Sequence, residues 1–153
     1  MTFASLPARA AIAIILPVLL LSQAASDPWT ASEILEPAAL ARTIGQPHPP
    51  LVISVAFPVL YRNKHILHAL DAGAGSSPEG IAALKRLVAH TPKGAEIVIY
   101  CGCCPMTKCP NVRPAYRALK DLGFERIGVL DIPVNMHTDW YAKDYPSELG
   151  ERR

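Results

Sequence analysis

The chain has 153 residues and a formal net charge of +2, with basic and acidic side chains interspersed along it. Neither sign of charge forms a block, which argues against a nucleic-acid partner and against binding to an anionic membrane surface. The length fits a short leader followed by one domain in the usual range of about 100–150 residues.

The N-terminus predicts a secretory signal peptide over residues 1–24. An apolar run at 11–21 follows the single charge of Arg9 and precedes small residues suited to cleavage. The run is shorter than the roughly 20 apolar residues that a membrane-spanning helix needs. We therefore expect cleavage after Ala24, or as late as Ser26, and an exported product, periplasmic or secreted, with no membrane contact after signal removal.

The remainder, residues 27–153, predicts one domain in which strands and helices alternate. Three apolar, β-branched runs predict buried strands: 51–56, 96–100 and 126–132. Three segments with apolar residues at helical spacing predict helices: a lead-in helix after Glu36-Pro37, residues 78–90 capped by Ser77, and a helix capped by Asn111 that closes at Gly123. A helical turn and a weaker extended piece are expected within 57–72. This alternation implies βαβ units and a mainly parallel sheet.

All four cysteines fall in the loop that follows the strand at 96–100: Cys101, Cys103, Cys104 and Cys109. Export would place them in an oxidising compartment, where thiols become disulfides unless a metal or a reductant holds them. We therefore predict at least one disulfide in this loop, most readily Cys104–Cys109 or Cys103–Cys109. A bridge between Cys103 and Cys104 would strain the intervening peptide.

Several motifs, in the same order as the predicted elements, resemble the rhodanese family. They are Ile97-Val98-Ile99-Tyr100-Cys101, Leu122-Gly123-Phe124 before the strand Ile127-Gly128-Val129-Leu130, His65-Ile66 with Ala69, and Trp140 with Tyr145-Pro146. The resemblance spans roughly residues 31–147. It implies a rhodanese-like α/β fold, with a mainly parallel central sheet, helices on both of its faces and an enlarged cysteine loop at 101–111.

The resemblance also implies a chemistry for Cys101. In that family the cysteine directly after this strand is a nucleophile that accepts a sulfane sulfur as a persulfide. A thiolate at a strand end that faces backbone N–H groups and the N-terminus of the next helix lies in positive potential, which stabilises it. We therefore predict sulfurtransferase-type chemistry at Cys101 with no required cofactor, served by a small sulfur donor and acceptor or by a thiol-redox partner protein.

Other residues of the loop complete the candidate site. Cys104 and Cys109 are candidate resolving thiols. Lys108 is the only basic side chain of the loop and is the candidate for holding an anionic donor. Ser54 and Ala56 stand where many family members have an Asp and an Arg, and the loop lacks the family's arginine. We therefore expect weak or absent thiosulfate:cyanide transfer.

Two other interpretations of the cysteines stay open. Thiolates suit Cu(I) or Zn(II), so all four cysteines are candidate metal ligands, and Met106, Met136 and His137 could join them if the loop after the last strand lies alongside. The pair Cys101 and Cys104 also forms a CxxC redox motif. Only one strand follows the next helix, too little for a thioredoxin-like sheet, but redox cycling on a rhodanese-like scaffold remains compatible with the sequence.

Overall fold

The computed structural model describes Met1 and residues 27–150. The predicted signal peptide, apart from Met1, lies outside the described residues. Within the part that is described, no helix is both long enough and apolar enough to cross a membrane.

Residues 27–150 form seven strands and five α-helices. The strands are β1 (Ile34–Leu35), β2 (Leu51–Ser54), β3 (His65–Ile66), β4 (Leu70–Asp71), β5 (Glu96–Tyr100), β6 (Arg126–Leu130) and β7 (Ser147–Glu148). The helices are α1 (Pro37–Thr43), α2 (Pro58–Asn63), α3 (Pro78–Leu87), α4 (Val112–Asp121) and α5 (Met136–Asp139). Short 3-10 turns lie at Ala31–Glu33, Met106–Lys108 and Tyr141–Lys143.

Five strands form a fully parallel sheet in the order β1-β6-β5-β2-β4. In its centre, Ile99 of β5 lies between Ile53 of β2 and Val129 of β6. Strands β3 and β7 form a separate antiparallel pair. The predicted α/β class with a mainly parallel sheet is confirmed.

Helices cover both faces of this sheet, as predicted. Successive side chains of a strand point to opposite faces, so the residues of β5 report on each side in turn. Ile97 and Ile99 belong to a core shared with α3 and α4, whereas Val98 and Tyr100 belong to a second core that includes α1 and Trp140. A strand buried on both faces explains why β5 reads as an unbroken apolar run.

The structure differs from the predicted elements in its shortest strands. The weaker extended piece expected within 57–72 is two strands, β3 and β4, which belong to different sheets. His68 lies between them with a left-handed backbone conformation (φ 62°), and this ends the first strand. Strand β1, at the sheet edge beside β6, was missed because two residues are too few to show a periodicity.

The two predicted helix caps have different outcomes. The Ser77 hydroxyl accepts a hydrogen bond from the N–H of Gly80 (3.0 Å), so this cap of α3 is confirmed. Asn111 does precede α4, but its backbone is already helical and its side chain makes no capping bond. The capping role predicted for the Asn111 side chain is therefore wrong, and its amide is used elsewhere.

Candidate active site

The carboxyl ends of β2 and β5 lie side by side at the point where the order of strands in the sheet reverses. From β2 the chain continues to β4 on one side, and from β5 it continues to β6 on the other. Open α/β sheets bind ligands in the crevice at such a switch point. A pocket of about 400 Å³ opens here, lined by Ser54 and Ala56 from the end of β2 and by Tyr100 and Cys101 from the end of β5.

Cys101 is 4% exposed and lies at the wall of this pocket. The side-chain amide of Asn111 donates a hydrogen bond to its sulfur (Nδ2 to Sγ 3.3 Å). The sulfur of Cys103 is 3.2 Å away. The predicted nucleophile thus has an open side towards the pocket and a polar side towards Asn111.

Asn111 is fully buried, with 0% of its surface exposed, and its amide orientation is fixed by a second bond. Its Oδ1 accepts from the backbone N–H of Ser76 (3.1 Å), so the NH₂ group must face Cys101. Gly75 packs directly on this residue, because a Cβ at Gly75 would lie 2.3 Å from the Asn111 carbonyl oxygen. The loop before α3 therefore aims a hydrogen-bond donor at the Cys101 sulfur.

The N-terminus of α4 lies close to Cys109. Cys109 is 0% exposed, and the backbone N–H groups of Asn111 and Val112 act to lower the pKa of its thiol. Contact with the Cys101 thiol, together with burial, nevertheless raises the pKa of Cys109. The backbone N–H groups of Met106, Lys108 and Cys109 bond to carbonyl oxygens. The N–H groups of Gly102, Cys103 and Cys104, which directly follow Cys101, make no such bond among the described residues, so the cradle of loop N–H groups around Cys101 stays a prediction.

The remaining two cysteines, Cys103 and Cys104, are partly exposed. Cys103 lines the pocket, and its sulfur is 3.2 Å from the sulfurs of both Cys101 and Cys104. Burial raises the pKa of Cys103 to about 12 and also raises that of Cys104. All four thiols are free in this structure, and the disulfide stays a prediction.

The structure gives the pocket a different cation from the one predicted. Lys108 is exposed and is not among the residues that line the pocket. Lys64, at the end of α2, does line it, and it is the only Lys, Arg, Asp or Glu side chain among the described residues that do so. Sequence reasoning missed Lys64 because nothing local links the end of α2 to a loop that follows β5.

The loop after β6 lies beside the cysteine loop, which was the condition for its side chains to approach the thiols. The N–H of Met136 donates to the Gly102 carbonyl (3.2 Å), and the N–H of Met106 donates to that of Ile132 (2.8 Å). Met136 is buried and His137 is exposed, and both line the pocket. Gly102 has a φ of 73°, and a Cβ there would lie 2.0 Å from Cγ of Met136, so the close approach needs glycine.

No protein-family model and no curated protein sequence matches this chain. Solved structures do match it. BH2092 of Bacillus halodurans is 22% identical over 77% of each chain, with a TM-score of 0.59. The rhodanese-like domain of Alr3790 from Anabaena is 19% identical over 76% of this chain and 79% of its own, with a TM-score of 0.55.

A thiosulfate sulfurtransferase from Pseudomonas aeruginosa is 26% identical over 78% of this chain, with a TM-score of 0.55, and the match spans 20% of that protein. These similarities show that the chain has the rhodanese-like fold, as the sequence motifs implied. The four-cysteine loop is the part of this fold that holds the candidate reactive groups.

Proposed function

We propose that this chain is an exported sulfurtransferase-type protein in which Cys101 accepts a sulfane sulfur as a persulfide and passes it to an acceptor. The observation that carries the proposal is the position of the Cys101 sulfur, between a ligand-sized pocket and the fixed amide donor of Asn111. The export part of the proposal rests on the N-terminal sequence pattern alone.

The chemistry needs no cofactor. The Cys101 thiolate attacks the terminal sulfur of a donor, the donor's bond to that sulfur breaks, and the rest of the donor leaves with the electron pair. An acceptor thiolate then attacks the outer sulfur of the persulfide, and Cys101 leaves as a thiolate. Hydrogen bonds to a charged acceptor are stronger than those to a neutral one, so the Asn111 amide stabilises the sulfur anion at both stages.

The neighbouring thiols provide a second exit for the sulfur. Cys103 is the thiol placed to attack the inner sulfur of a Cys101 persulfide, which forms a Cys101–Cys103 disulfide and releases sulfide. Cys104 contacts Cys103 and Cys109, one step further from the pocket. A thiol-redox partner protein would then be needed to reduce the disulfide before another cycle.

Peptide mapping after exposure to a sulfane sulfur donor tests the proposal. Reduced protein should gain one sulfur atom on the peptide that carries Cys101, and the Cys101→Ser variant should gain none. Cys104→Ser is the matched control and should gain the sulfur as the unaltered protein does. A sulfur that remains on the Cys101→Ser variant would overturn the assignment of Cys101.

A metal site is the second candidate function, and a specific observation favours it. The sulfurs of Cys101, Cys103 and Cys109 all lie within 4.8 Å of one another. Thiolates bound to one Zn(II) ion sit at about 2.3 Å from it, which leaves them roughly 4 Å apart, and soft thiolates also select Cu(I). The three sulfurs could therefore hold either ion after a small rearrangement in which Cys101 and Cys103, now 3.2 Å apart, separate slightly, with Met136 and His137 nearby.

Cys109 separates the two functions, because it belongs to the sulfur cluster but does not line the pocket. Under sulfur transfer, Cys109→Ser leaves loading of Cys101 within a few-fold of the unaltered protein. Under metal binding, the same change removes a ligand and weakens the retention of Zn(II) or Cu(I). Metal content and sulfur loading measured on the same protein samples decide between them.

A further inference from the structure

We infer that the sulfur donor taken by this pocket is an organic monoanion with an apolar body about the size of an aromatic ring, in preference to inorganic thiosulfate. The inference rests on the proposed function, since it names the class of molecule from which Cys101 would take its sulfur. It is carried by the composition, the size and the single charge of the pocket in front of Cys101.

The walls of the pocket are largely aliphatic and aromatic. The aliphatic and thioether part comes from Ala56, Leu60 and Met136, and the aromatic part comes from Tyr61, Tyr100 and Tyr141. Such surfaces favour an occupant that removes apolar area from water, at about 25 cal/mol per Å².

The tyrosine hydroxyls are already used by the backbone. Tyr61 donates to the carbonyl of Ala69 (2.6 Å), and Tyr141 donates to that of Lys64. The Tyr100 hydroxyl accepts from the N–H of Ile66 (3.3 Å). Tyr61 and Tyr141 therefore offer ring surface to an occupant and no free O–H donor, and only the Tyr100 hydroxyl keeps a hydrogen to donate.

The charge of the pocket matches one negative charge. Lys64 carries the only full charge among the described residues that line the pocket, and its Nζ lies 4.8 Å from the centre of the Tyr141 ring. The other polar lining side chains are Ser54, Asn63, His137 and Asn135, whose Oδ1 already accepts from the N–H of Thr138, so a second negative charge would find hydrogen-bonding groups but no second Lys or Arg. A small dianion such as thiosulfate would lose strong hydration here and gain one cation, which is poor compensation.

The volume of the pocket also favours an organic donor over thiosulfate. Its volume of about 400 Å³ lies in the range of pockets that hold small organic molecules, about 300–1,000 Å³. Thiosulfate would leave most of this space to water. A ring-sized body would instead fill it and hold the reacting sulfur against Cys101.

Benzenethiosulfonate is a suitable probe of this class. The Cys101 thiolate attacks its terminal sulfur, the bond between that sulfur and the sulfonyl sulfur breaks, and benzenesulfinate leaves with the electron pair. Total charge is conserved and no oxidant or reductant is consumed. Methanethiosulfonate undergoes the same reaction with a body of one carbon, so it isolates the contribution of the ring.

The test compares the rates at which benzenethiosulfonate, methanethiosulfonate and thiosulfate add one sulfur atom to Cys101. Each rate is divided by the rate of the same reagent with free cysteine, which removes differences in intrinsic reactivity. We expect benzenethiosulfonate to exceed methanethiosulfonate by at least about tenfold, because the ring becomes buried, and thiosulfate to be slowest. Equal normalised rates would overturn the inference and leave the proposed function standing, whereas no sulfur on Cys101 from any reagent would overturn both.

Paired variants tie the preference to the pocket. Leu60→Ala should reduce the ratio of the two thiosulfonate rates, while Val59→Ala, on the same helix but outside the pocket lining, should not. Lys64→Met should slow both thiosulfonates by a similar factor, and Lys143→Met, an exposed lysine outside the pocket lining, should slow neither. Equal effects of Leu60→Ala and Val59→Ala would contradict the placement of the ring.

Discussion

The two ends of the cysteine loop have opposite surroundings, although their sulfurs lie within 4.8 Å of each other. Cys101 leaves the end of β5 beside an open pocket, whereas Cys109 is sealed under the N-terminus of α4. The N–H groups at the start of α4 act to lower the pKa of the sealed Cys109, whereas the side-chain amide of Asn111 donates a hydrogen bond to the accessible Cys101. Access and hydrogen-bond donors therefore distinguish these thiols, although both belong to one short loop.

Replacing Cys101 and Cys109 separately by Ser should give the largest difference in sulfur loading. Cys101→Ser abolishes sulfur loading, because no other thiol combines the strand-end position with the pocket. Cys109→Ser keeps loading but lowers the free energy of unfolding by about 1–3 kcal/mol, since it buries a hydroxyl in place of a sulfur. Urea unfolding and peptide mapping check both variants; loss of loading in Cys109→Ser at unchanged stability would reverse the assigned roles.

Changing Asn111, whose side chain donates the hydrogen bond to the Cys101 sulfur, should have the next largest effect. Asn111→Asp keeps an oxygen for the N–H of Ser76 but removes the NH₂ group and places a carboxylate against the sulfur. We expect the rate of sulfur loading to fall by about a hundredfold, comparable to losing one donor to a reacting anion.

Asn63→Asp is the matched control for Asn111→Asp, because it adds the same charge to the pocket without touching the Cys101 sulfur. It should slow an anionic donor by less than about tenfold, as expected for a partly exposed charge. Equal losses in the two variants would mean that the Asn111 amide has no specific role.

The effect of oxidation on sulfur loading should depend on which cysteines of the loop form the disulfide. Protein recovered from an oxidising compartment should contain at least one disulfide within residues 101–109, worth less than about 3 kcal/mol because the closed loop is short. A Cys104–Cys109 bridge would leave Cys101 able to accept sulfur, while a Cys101–Cys103 bridge would silence it. Non-reducing peptide maps distinguish the two, and four free thiols without a bound metal would contradict the prediction.

Alkaline pH should lower the stability of the folded protein. The pKa of Cys103 is raised to about 12 and that of Cys109 is also raised, whereas the unfolded thiols ionise near the ordinary value of 9.0. The unfolded chain therefore loses these protons first, and stability falls as pH rises from about 9 towards 12. Urea midpoints should decline over this range and decline less steeply in Cys109→Ser; parallel profiles would exclude a contribution from Cys109.

The parts of the fold that could be predicted are those whose burial is visible in a short stretch of chain. Strand β5 was predicted with its true bounds because burial on both faces makes it an uninterrupted apolar run. The cap at Ser77 was predicted because its bond to Gly80 spans three residues. Strands β1, β3 and β4 are defined by their partners rather than by their own two residues, so the local pattern indicated only one weak extended piece for β3 and β4 and nothing for β1.

The position of Cys101 was predictable from the sequence, whereas the roles of Lys64 and Asn111 were not. A cysteine directly after a buried strand must lie at the carboxyl edge of the sheet, which located Cys101. Lys64 reaches the same pocket from α2, and Asn111 bonds to Ser76 and Cys101 instead of capping its own helix. The role of each of these two residues depends on a long-range contact. A local pattern can show only a role within the residue's own element, such as a helix cap.

Mass spectrometry of intact protein through one complete cycle tests the persulfide at Cys101 most directly. Reduced protein exposed to benzenethiosulfonate should gain the mass of one sulfur atom, and an added acceptor thiol should return it to its starting mass. The Cys101→Ser variant should show neither change. An unchanged mass in protein shown to have four free thiols, or a gain that the Cys101→Ser variant shares, would contradict sulfur transfer through Cys101.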